Sequence, residues 1–418
     1  MRSPIGVIIF IGLILLLDTY FFQAIKTITQ QFSPRYKNAV HAFYWLITGL
    51  SILLFLLFVY TEQDFFGKAA RAYMFAFVMG VFVAKLVSIA FFLTDDIRRI
   101  VQYGIGKILP KANAMPSTNM NGDTISRSTF LSWLGVAAGG TLFGSLMYGF
   151  TNKYNYMIKN VQLSFDNLPP TFKGLRIIHI SDIHSGSLTD PKSVAKGIEM
   201  ILEQKPDIIL FTGDLVNDMA IEMDPYKELM GKLKAPMGVY SVLGNHDYGD
   251  YAIWPHKGVS KEQNLVNLKQ VHADMGWRLL MNEHVVLEKG GEQIALLGIE
   301  NWSAKGRFPK HGKLDVAYGG AAAYPFKILM SHDPSHWDAE VKQQYKDINL
   351  MLSGHTHGMQ FGVEIPGFKW SPVQYVYKQW AGLYEEANQK LYVNRGFGFI
   401  GYPGRVGVLP EITLIELA

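Results

Sequence analysis

Four long apolar runs before residue 151 constrain most strongly what this chain can fold into. They cover approximately residues 4–25, 43–60, 72–93 and 130–150. Each is close to the roughly 20 residues that an α-helix needs to cross the hydrocarbon core of a bilayer. One such run would also suit a buried core helix or a signal peptide, but three consecutive runs with short basic connections do not. Residues 1–151 are therefore predicted to form a transmembrane domain of about four helices, with residues 110–124 as an exposed loop.

The charges between these runs predict which side of the membrane each end occupies. Eight Lys or Arg residues follow the first and third runs, and five lie on the opposite side. The eight are Lys26, Arg35, Lys37, Arg98, Arg99, Lys107, Lys111 and Arg127, and the five are Arg2, Lys68, Arg71, Lys153 and Lys159. Positive residues gather on the cytoplasmic side, so the C-terminal half is expected on the extracytoplasmic side of a multi-pass cell-membrane protein. Residues 126–131 also resemble a twin-arginine export signal, with Ser128 in place of the second Arg.

Asp18 and Lys85 are ionisable residues within the first and third runs. Both runs cross the membrane in the same direction, so the two side chains lie at similar depths, where an unpaired charge is costly. A structural ion pair between two helices is the favoured interpretation. A transport or ion-coupling role, or a position of Asp18 near the interface, remains open.

The sequence after residue 160 alternates short apolar runs with helical patterns. The predicted strands are Val161–Phe165, Leu175–Ser181, Asp207–Thr212, Val239–Leu243, Ile294–Ile299, Phe326–Met330, Ile348–Ser353, Leu391–Asn394 and Ile412–Glu416, and the predicted helices are Pro191–Gln204, Pro225–Leu233 and Lys261–Met275. Several strands are apolar almost throughout, which is typical of strands covered on both faces. Residues 152–418 are therefore predicted to form an α/β sandwich with ligands beyond the carboxyl ends of its strands.

Polar side chains cluster where five of these strands end. The five turns are Asp182-Ile183-His184, Thr212-Gly213-Asp214, Gly244-Asn245-His246-Asp247, Ser331-His332-Asp333 and Gly354-His355-Thr356-His357-Gly358. Imidazole and carboxylate together suit Zn²⁺, Mn²⁺, Fe or Co better than Ca²⁺ or Mg²⁺ alone. A single turn of this kind is usually a surface turn, but five in order predict a metal centre.

With these motifs the chain from Leu163 to Leu417 resembles the calcineurin-like metallophosphoesterase superfamily, in particular its bacterial membrane-tethered or exported branch. Four segments carry the resemblance: Ser181–Gly186, Gly213–Val216, Gly244–Gly249 and Ser353–Gly358. The resemblance implies a sandwich of two β-sheets flanked by helices that holds two divalent metal ions. Asn217, where many relatives have an acid, and Met359, where a second Gly is common, depart from the pattern at positions that are not metal ligands.

The resemblance also implies a role for each site residue. Asp182, His184 and His357 would bind the first metal, Asn245, His332 and His355 the second, and Asp214 would bridge them through its two oxygens, opposite a bridging hydroxide. That hydroxide would attack phosphorus. His246 would act as general acid or transition-state stabiliser, and Asp247 would orient His246.

Other polar residues of this half receive structural interpretations. His179 is expected in the core or behind the metal ligands, and His256, His272, His284, His311 and His336 at the surface or in satisfied positions. For Arg395 and Arg405 a structural ion pair is favoured over phosphate contact. The aromatic side chains of residues 248–255 are expected to pack in an ordinary loop, with contact to lipid as the alternative.

These observations predict a membrane-anchored phosphohydrolase that cleaves a phosphodiester or pyrophosphate bond. The membrane anchor is the one feature of the sequence that suggests a lipid or envelope-derived substrate. A membrane transporter or receptor with a regulatory phosphoesterase-like domain is the alternative, and an amidohydrolase fits poorly because that class opens with His-x-His. The net charge of +4 comes from scattered Lys and Arg and does not suit nucleic acid. The absence of Cys excludes disulfides and thiol catalysis.

Overall fold

The computed structural model describes residues 4–61, 65–108 and 126–418. The chain divides into two compact units, Met1–Tyr148 and Gly149–Ala418. The loop predicted at residues 110–124 lies outside the described residues, as do Arg2 and Lys111 of the charge comparison.

The described part of the first unit contains four long helices, α1 (Pro4–Ile28), α2 (Pro34–Tyr60), α3 (Gly67–Ile108) and α4 (Arg127–Gly149). Each is long and apolar enough to cross a membrane, which confirms the prediction of four transmembrane helices. Polar residues extend the helices beyond the apolar runs. The end of α3, for example, carries an ion pair between Arg98 and Asp95 at 2.7 Å, one helical turn apart.

A buried polar contact joins three of these helices. Lys85 of α3 pairs with Asp18 of α1, and the Tyr44 hydroxyl of α2 donates to the same carboxylate oxygen over 2.9 Å. The Asp18 side chain is only 1% exposed. The predicted ion pair between the first and third helices therefore forms, and it accounts for both charges inside the apolar runs.

The second unit contains strands and short helices. In the described chain its strands are β1 (Met157–Leu163), β2 (Arg176–Ile180), β3 (Ile208–Phe211), β4 (Val239–Ser241), β5 (Arg278–Leu279), β6 (Glu283–Lys289), β7 (Glu292–Gly298), β8 (Lys327–Met330), β9 (Leu350–Ser353), β10 (Val363–Ile365), β11 (Phe368–Trp370), β12 (Gly382–Glu386), β13 (Gln389–Val393) and β14 (Glu411–Leu417). Its helices are α5 (Pro191–Glu203), α6 (Lys227–Met230), α7 (Lys261–Asp274), α8 (Leu314–Tyr318) and α9 (Lys342–Gln344).

These strands form two six-stranded sheets and one separate hairpin. The first sheet has the order β1-β14-β2-β3-β4-β5 and the second β12-β13-β9-β8-β7-β6, while β10 and β11 pair with each other. The sheets face each other through buried apolar side chains such as Ile177 and Leu210 of the first and Ile328 and Leu352 of the second. Helices α5 and α7 cover the outer face of the first sheet, and α8 covers that of the second. The predicted α/β sandwich of two sheets is confirmed.

The parallel strands place the polar turns at one edge of the sandwich. Strands β2, β3 and β4 are parallel neighbours in the first sheet, and β8 and β9 are parallel neighbours in the second. Because the carboxyl ends of parallel strands lie at the same edge, the five turns that follow these strands can meet there.

Candidate metal centre

The turns after β2 and β9 bring the first group of ligand atoms together. Asp182, His184 and His357 each offer one such atom, and these atoms lie within 4.8 Å of one another. The Nε2 atom of His357 is 3.0 Å from His184 Nε2 and 3.3 Å from Asp182 Oδ1. All three residues are buried. They are the three residues predicted to bind the first metal.

A second group comes from the turns after β3, β4, β8 and β9. Asp214, His332 and His355 offer atoms within 4.8 Å of one another. His355 Nδ1 lies 3.3 Å from His332 Nε2 and 2.8 Å from the side-chain oxygen of Asn245. The Nδ1–H of His332 donates to the Thr212 carbonyl over 2.8 Å, so Nε2 is the nitrogen that would face a metal.

One oxygen of Asp214 lies between the two groups. Its Oδ2 is 3.1 Å from His332 Nε2 and 3.6 Å from His184 Nε2. Its Oδ1 accepts the backbone N–H of His246 over 2.8 Å. The resemblance implied that both oxygens would bridge two metals; in this structure Oδ2 faces both groups and Oδ1 accepts a main-chain N–H.

The electrostatics of the site fit divalent cations. Burial alone would raise the pKa of Asp214, but the facing imidazoles of His332 and His246 hold it well below its usual range. Burial alone would lower the pKa of His332, but the Asp214 carboxylate raises it to about 10. Burial lowers the pKa of His184 far below its usual value, so that ring is neutral. Without a cation the His332 ring is therefore protonated, and a metal bound at its Nε2 would displace that proton. The ionised Asp214 carboxylate and the neutral His184 ring are already in the states that bind Zn²⁺ or Mn²⁺.

Five of the ligand residues have left-handed backbones. The φ angles are 53° at Asp182, 48° at His184, 60° at Asp214, 70° at His355 and 50° at His357. This conformation costs a non-glycine residue about 1–2 kcal/mol. Such strain persists where the surrounding structure enforces it and is concentrated at functional sites.

Two motif glycines allow the turns to approach each other. A Cβ atom on Gly354 would lie 1.9 Å from Ser181 Oγ and 2.1 Å from Asp182 Oδ2. A Cβ atom on Gly244 would lie 2.2 Å from Asp214 Oδ1. Any larger residue at either position would displace a ligand carboxylate, which explains why glycine precedes the ligands in both motifs.

Known proteins share both halves of this chain. The family model described as "Calcineurin-like phosphoesterase" matches residues 175–359, and that described as "Probable Calcineurin-like phosphoesterase, transmembrane domain" matches residues 1–153. The uncharacterized metallophosphoesterase YkuE of Bacillus subtilis (strain 168) is 30% identical over 305 residues, which cover 70% of this chain and 98% of that protein. This chain belongs to the calcineurin-like metallophosphoesterase family.

Two further relatives bear on the membrane half and on the chemistry. The transmembrane protein with metallophosphoesterase domain of Danio rerio is 31% identical over 269 residues, or 62% of this chain and 57% of that protein. The phosphodiesterase YaeI of Escherichia coli (strain K12) is 26% identical over 299 residues, or 70% of this chain and 99% of that protein. The chain is thus a membrane-anchored metallophosphoesterase with candidate metal-binding residues.

The predicted catalytic histidine of this metallophosphoesterase is held by a main-chain carbonyl. The Nδ1–H of His246 donates to the Asn217 carbonyl over 2.8 Å, which leaves Nε2 as the nitrogen that can exchange a proton. The His246 ring lies 4.9 Å from that of His184 and 4.5 Å from that of Tyr251. The Tyr251 hydroxyl accepts from Asn245 Nδ2 over 2.9 Å, so the Asn245 side-chain oxygen points to the second ligand group.

The carboxylate of Asp247 accepts main-chain N–H groups from two neighbouring turns. Its Oδ2 accepts the backbone N–H groups of Asp214 and Gly244 over 2.9 and 2.8 Å, and its Oδ1 accepts those of Leu215 and Val216 over 2.8 and 3.3 Å. Burial and the Asp214 carboxylate raise the pKa of Asp247, and the N–H donors limit that rise. Asp247 therefore fixes the turns that carry Asp214 and Asn245, and its role in orienting the His246 ring stays a prediction.

A tyrosine that the sequence interpretation missed contacts a metal ligand of the metallophosphoesterase. The Tyr377 hydroxyl lies 2.8 Å from His355 Nε2 and donates to Asp333 Oδ2 over 3.2 Å. The Tyr377 oxygen thus accepts the Nε2–H of His355, which leaves Nδ1 of that ring for a metal. Asp333 could have been found as the neighbour of His332, but nothing near Tyr377 in the sequence indicated its role.

The remaining histidines lie outside the two ligand groups. His179 is fully buried on β2, its Nε2 is 2.9 Å from Thr212 Oγ1, and burial lowers its pKa to about 4. His272 and His336 contact serine hydroxyls, and His284 Nδ1 lies 2.9 Å from a backbone carbonyl. The backbone of His256 bonds that of Val259, and the His311 ring packs on Tyr248.

The two C-terminal arginines behave differently. Arg395 pairs with Glu364 over 2.9 Å and with Glu411, so the predicted structural ion pair forms there. Arg405 instead donates to backbone carbonyls, including that of Arg395 over 2.8 Å and that of His357 over 3.2 Å. The ion pair predicted for Arg405 was wrong: in the described chain its two terminal nitrogens donate to carbonyls of the surrounding turns, and its buried Nε has no partner.

Proposed function

We propose that the protein is a dinuclear-metal phosphoesterase that hydrolyses a phosphodiester or pyrophosphate bond. The observation that carries this proposal is the position of Asp214 Oδ2, within 3.6 Å of a nitrogen from each ligand group. Asp182, His184 and His357 would hold one cation, and Asn245, His332 and His355 the other. When bound, two ions of Mn, Zn, Fe or Co supply an activated water and neutralise the charge on the phosphate oxygens.

The chain itself handles the proton of the leaving group. His246 is fixed by the Asn217 carbonyl through Nδ1, so Nε2 can carry a proton and donate it to the leaving oxygen. General acid catalysis of this kind contributes about 10²–10⁴-fold to a rate. Tyr251 packs on the same ring and orients Asn245, and it thereby ties the acid to the second ligand group.

The membrane anchor supports a lipid or envelope-derived substrate. Four spans fix the catalytic unit to the bilayer, and tethering raises its effective concentration toward substrates in the same membrane. The name of the relative YaeI, a phosphodiesterase, supports diester cleavage. The excess of positive loops on one side and the resemblance of residues 126–131 to an export signal support an extracytoplasmic catalytic unit.

Paired chromogenic substrates test the reaction. The full chain, purified in detergent and loaded with Mn²⁺ or Zn²⁺, is assayed on bis-p-nitrophenyl phosphate and on p-nitrophenyl phosphate, with phospholipid vesicles as a third substrate. We expect metal-dependent hydrolysis that falls at least about 100-fold in His246→Ala and stays unchanged in His256→Ala, which removes a loop histidine. Fewer than two bound metal ions per chain, or no hydrolysis of any of the three substrates, would refute the proposal.

The absence of Cys allows the sidedness to be tested directly. Asp166→Cys places a thiol at an exposed position of the catalytic unit, and Lys37→Cys places one in the first turn of α2, at the end predicted to be cytoplasmic. A membrane-impermeant maleimide should label the first variant in intact cells and the second only after lysis. The reverse pattern would place the catalytic unit in the cytoplasm.

A further inference from the structure

The catalytic unit exposes a group of apolar side chains beside its metal-ligand turns. This apolar rim consists of Met359, Val363, Ile365, Phe368, Tyr375 and Val376, whose exposed fractions range from 43% for Val363 to 77% for Tyr375. Single exposed apolar residues are common on soluble proteins, but a contiguous group marks a surface that another apolar phase covers.

Hydrogen bonds and strand pairing make the rim one surface. Ile365 and Phe368 are paired neighbours across the β10–β11 hairpin. The indole N–H of Trp370, at the end of β11, donates to the Tyr375 hydroxyl over 3.4 Å. The Ser371 hydroxyl donates to the Gly358 carbonyl over 2.8 Å, next to Met359. The hairpin, the segment after it and the turn before it are therefore held together.

One short segment, Arg405-Val406, bonds both the last residue of α4 and the residues just before the hairpin. The carbonyl of Gly149, the final residue of α4, accepts the N–H of Arg405 over 2.9 Å. The neighbouring Val406 donates to the Gln360 carbonyl over 2.8 Å and accepts from the N–H of Gly362 over 2.9 Å. One short segment thus connects the membrane exit to the start of β10.

The rim is also continuous with the metal centre. Met359 follows the ligand His357 by two residues. Val376 is 52% exposed, while the next residue, Tyr377, is buried and lies 2.8 Å from the ligand His355. The same segment therefore presents one side chain outward and the next to a metal ligand.

We infer that the apolar rim lies in the interfacial region of the lipid bilayer in which the chain is anchored. Gly149 directly follows the helical unit, and the segment that bonds it also bonds the residues before β10. The bilayer in which the chain is anchored is therefore the occupant that we assign to the rim. Tyr and Trp favour the headgroup level of a membrane, and apolar side chains there reach about 5–10 Å into the acyl boundary. This contact does not depend on the proposed reaction, but it would bring the turns of His355 and His357 to the phosphates of lipid headgroups.

Single-cysteine labelling of the full chain tests the contact. Ile365→Cys, Phe368→Cys and Tyr375→Cys each carry an environment-sensitive fluorophore in phosphatidylcholine vesicles that contain nitroxide-labelled lipid. The matched control is Val316→Cys on α8, which is 55% exposed, close to the 54% of Phe368. Ile253→Cys, at a loop residue that is 90% exposed, tests the other apolar projection near the site.

We expect the lipid nitroxide to quench about half of the fluorescence at the three rim positions and little at residue 316. Three positions are used because one substitution could disturb the hairpin, and each variant is compared with the unmodified chain by thermal unfolding. Rim labels quenched no more than the label at residue 316, or quenching confined to residue 253, would overturn the inference. The labelled variants are also measured in detergent without lipid. If the rim labels there become less exposed to water as the protein concentration rises, a second copy of the chain covers the rim, and the inference is overturned as well.

Discussion

The carboxylate of Asp247 gives the sharpest test of how the centre is held. Each of its oxygens accepts two backbone N–H groups from the turns that carry Asp214 and Asn245. In Asp247→Asn the amide nitrogen replaces one oxygen, so two of the four donors lose their acceptor whichever way the amide rotates. An unpaired buried donor costs about 1–3 kcal/mol, and we expect a loss of about 3 kcal/mol in the free energy of unfolding. That loss corresponds to a fall of about 5–10 °C in the unfolding temperature.

Thermal unfolding and metal retention measure this effect. The full chain in detergent is followed by tryptophan fluorescence, and its metal content is measured after dialysis against a weak chelator. Asp166→Asn, the same chemical change at an exposed position, is the control. We also expect metal affinity to fall about 10–100-fold, because residues that orient ligands typically contribute that much. An Asp247→Asn variant with the unfolding temperature and metal content of the control would refute the reasoning.

Three further substitutions have defined outcomes. Tyr377→Phe removes the acceptor of His355 Nε2–H and should weaken metal binding about 10-fold in competition with a fluorescent chelator. Gly354→Ala places a Cβ 2.1 Å from Asp182 Oδ2 and should abolish retention of one metal ion per chain by elemental analysis. His272 is buried and its pKa is lowered to about 3 by burial, against about 6.5 when unfolded. The neutral ring therefore supports folding above pH 6.5, and that support is lost as pH falls toward 3. At pH 5 the loss is about 2 kcal/mol, so His272→Leu should flatten the fall in unfolding temperature between pH 6.5 and pH 5.

Each of these substitutions has a control that separates a specific effect from general damage. Tyr375→Phe makes the same change at an exposed tyrosine that is two residues from Tyr377, and Gly306→Ala adds a methyl group where no atom lies within 4 Å. His256→Leu introduces the same residue on a surface loop. Equal metal binding in a variant and its control, or equal pH dependence of the two histidine variants, would contradict the corresponding explanation.

The strands that the sequence revealed are those covered on both faces. β2, β3, β8 and β9 are buried almost throughout, so their apolar runs stand out against the polar turns. The strands that were missed lie at sheet edges or outside the sheets. β6 ends one sheet with the sequence Glu-His-Val-Val-Leu-Glu-Lys, in which only Leu287 is buried, and charged side chains of this kind are common on edge strands. The helix predicted over Pro225–Leu233 shrinks to α6 because its ends are turns.

The metal-ligand side chains could be predicted because they directly follow buried strands. The hydrogen-bond partners that hold these side chains in place could not be predicted. His246 is held by a backbone carbonyl, and four backbone N–H groups donate to Asp247. Main-chain groups occur in every residue and leave no trace in a sequence. The sequence therefore suggested that Asp247 orients the His246 ring, but it could not indicate that the same carboxylate holds two turns together.

The sequence also could not indicate which nitrogen of each motif histidine faces a metal. The spacing His-x-His places two rings near the centre but says nothing about their tautomers. At His355 the Tyr377 oxygen accepts the Nε2–H, so Nδ1 faces Asn245 and His332. At His357 it is Nε2 that lies 3.3 Å from Asp182. The two histidines thus use opposite nitrogens because their contacts come from different parts of the fold, one of them 22 residues along the chain. Removing the Tyr377 hydroxyl should for that reason weaken the second ligand group and leave the first intact, so that a Tyr377→Phe chain retains one tightly bound metal ion.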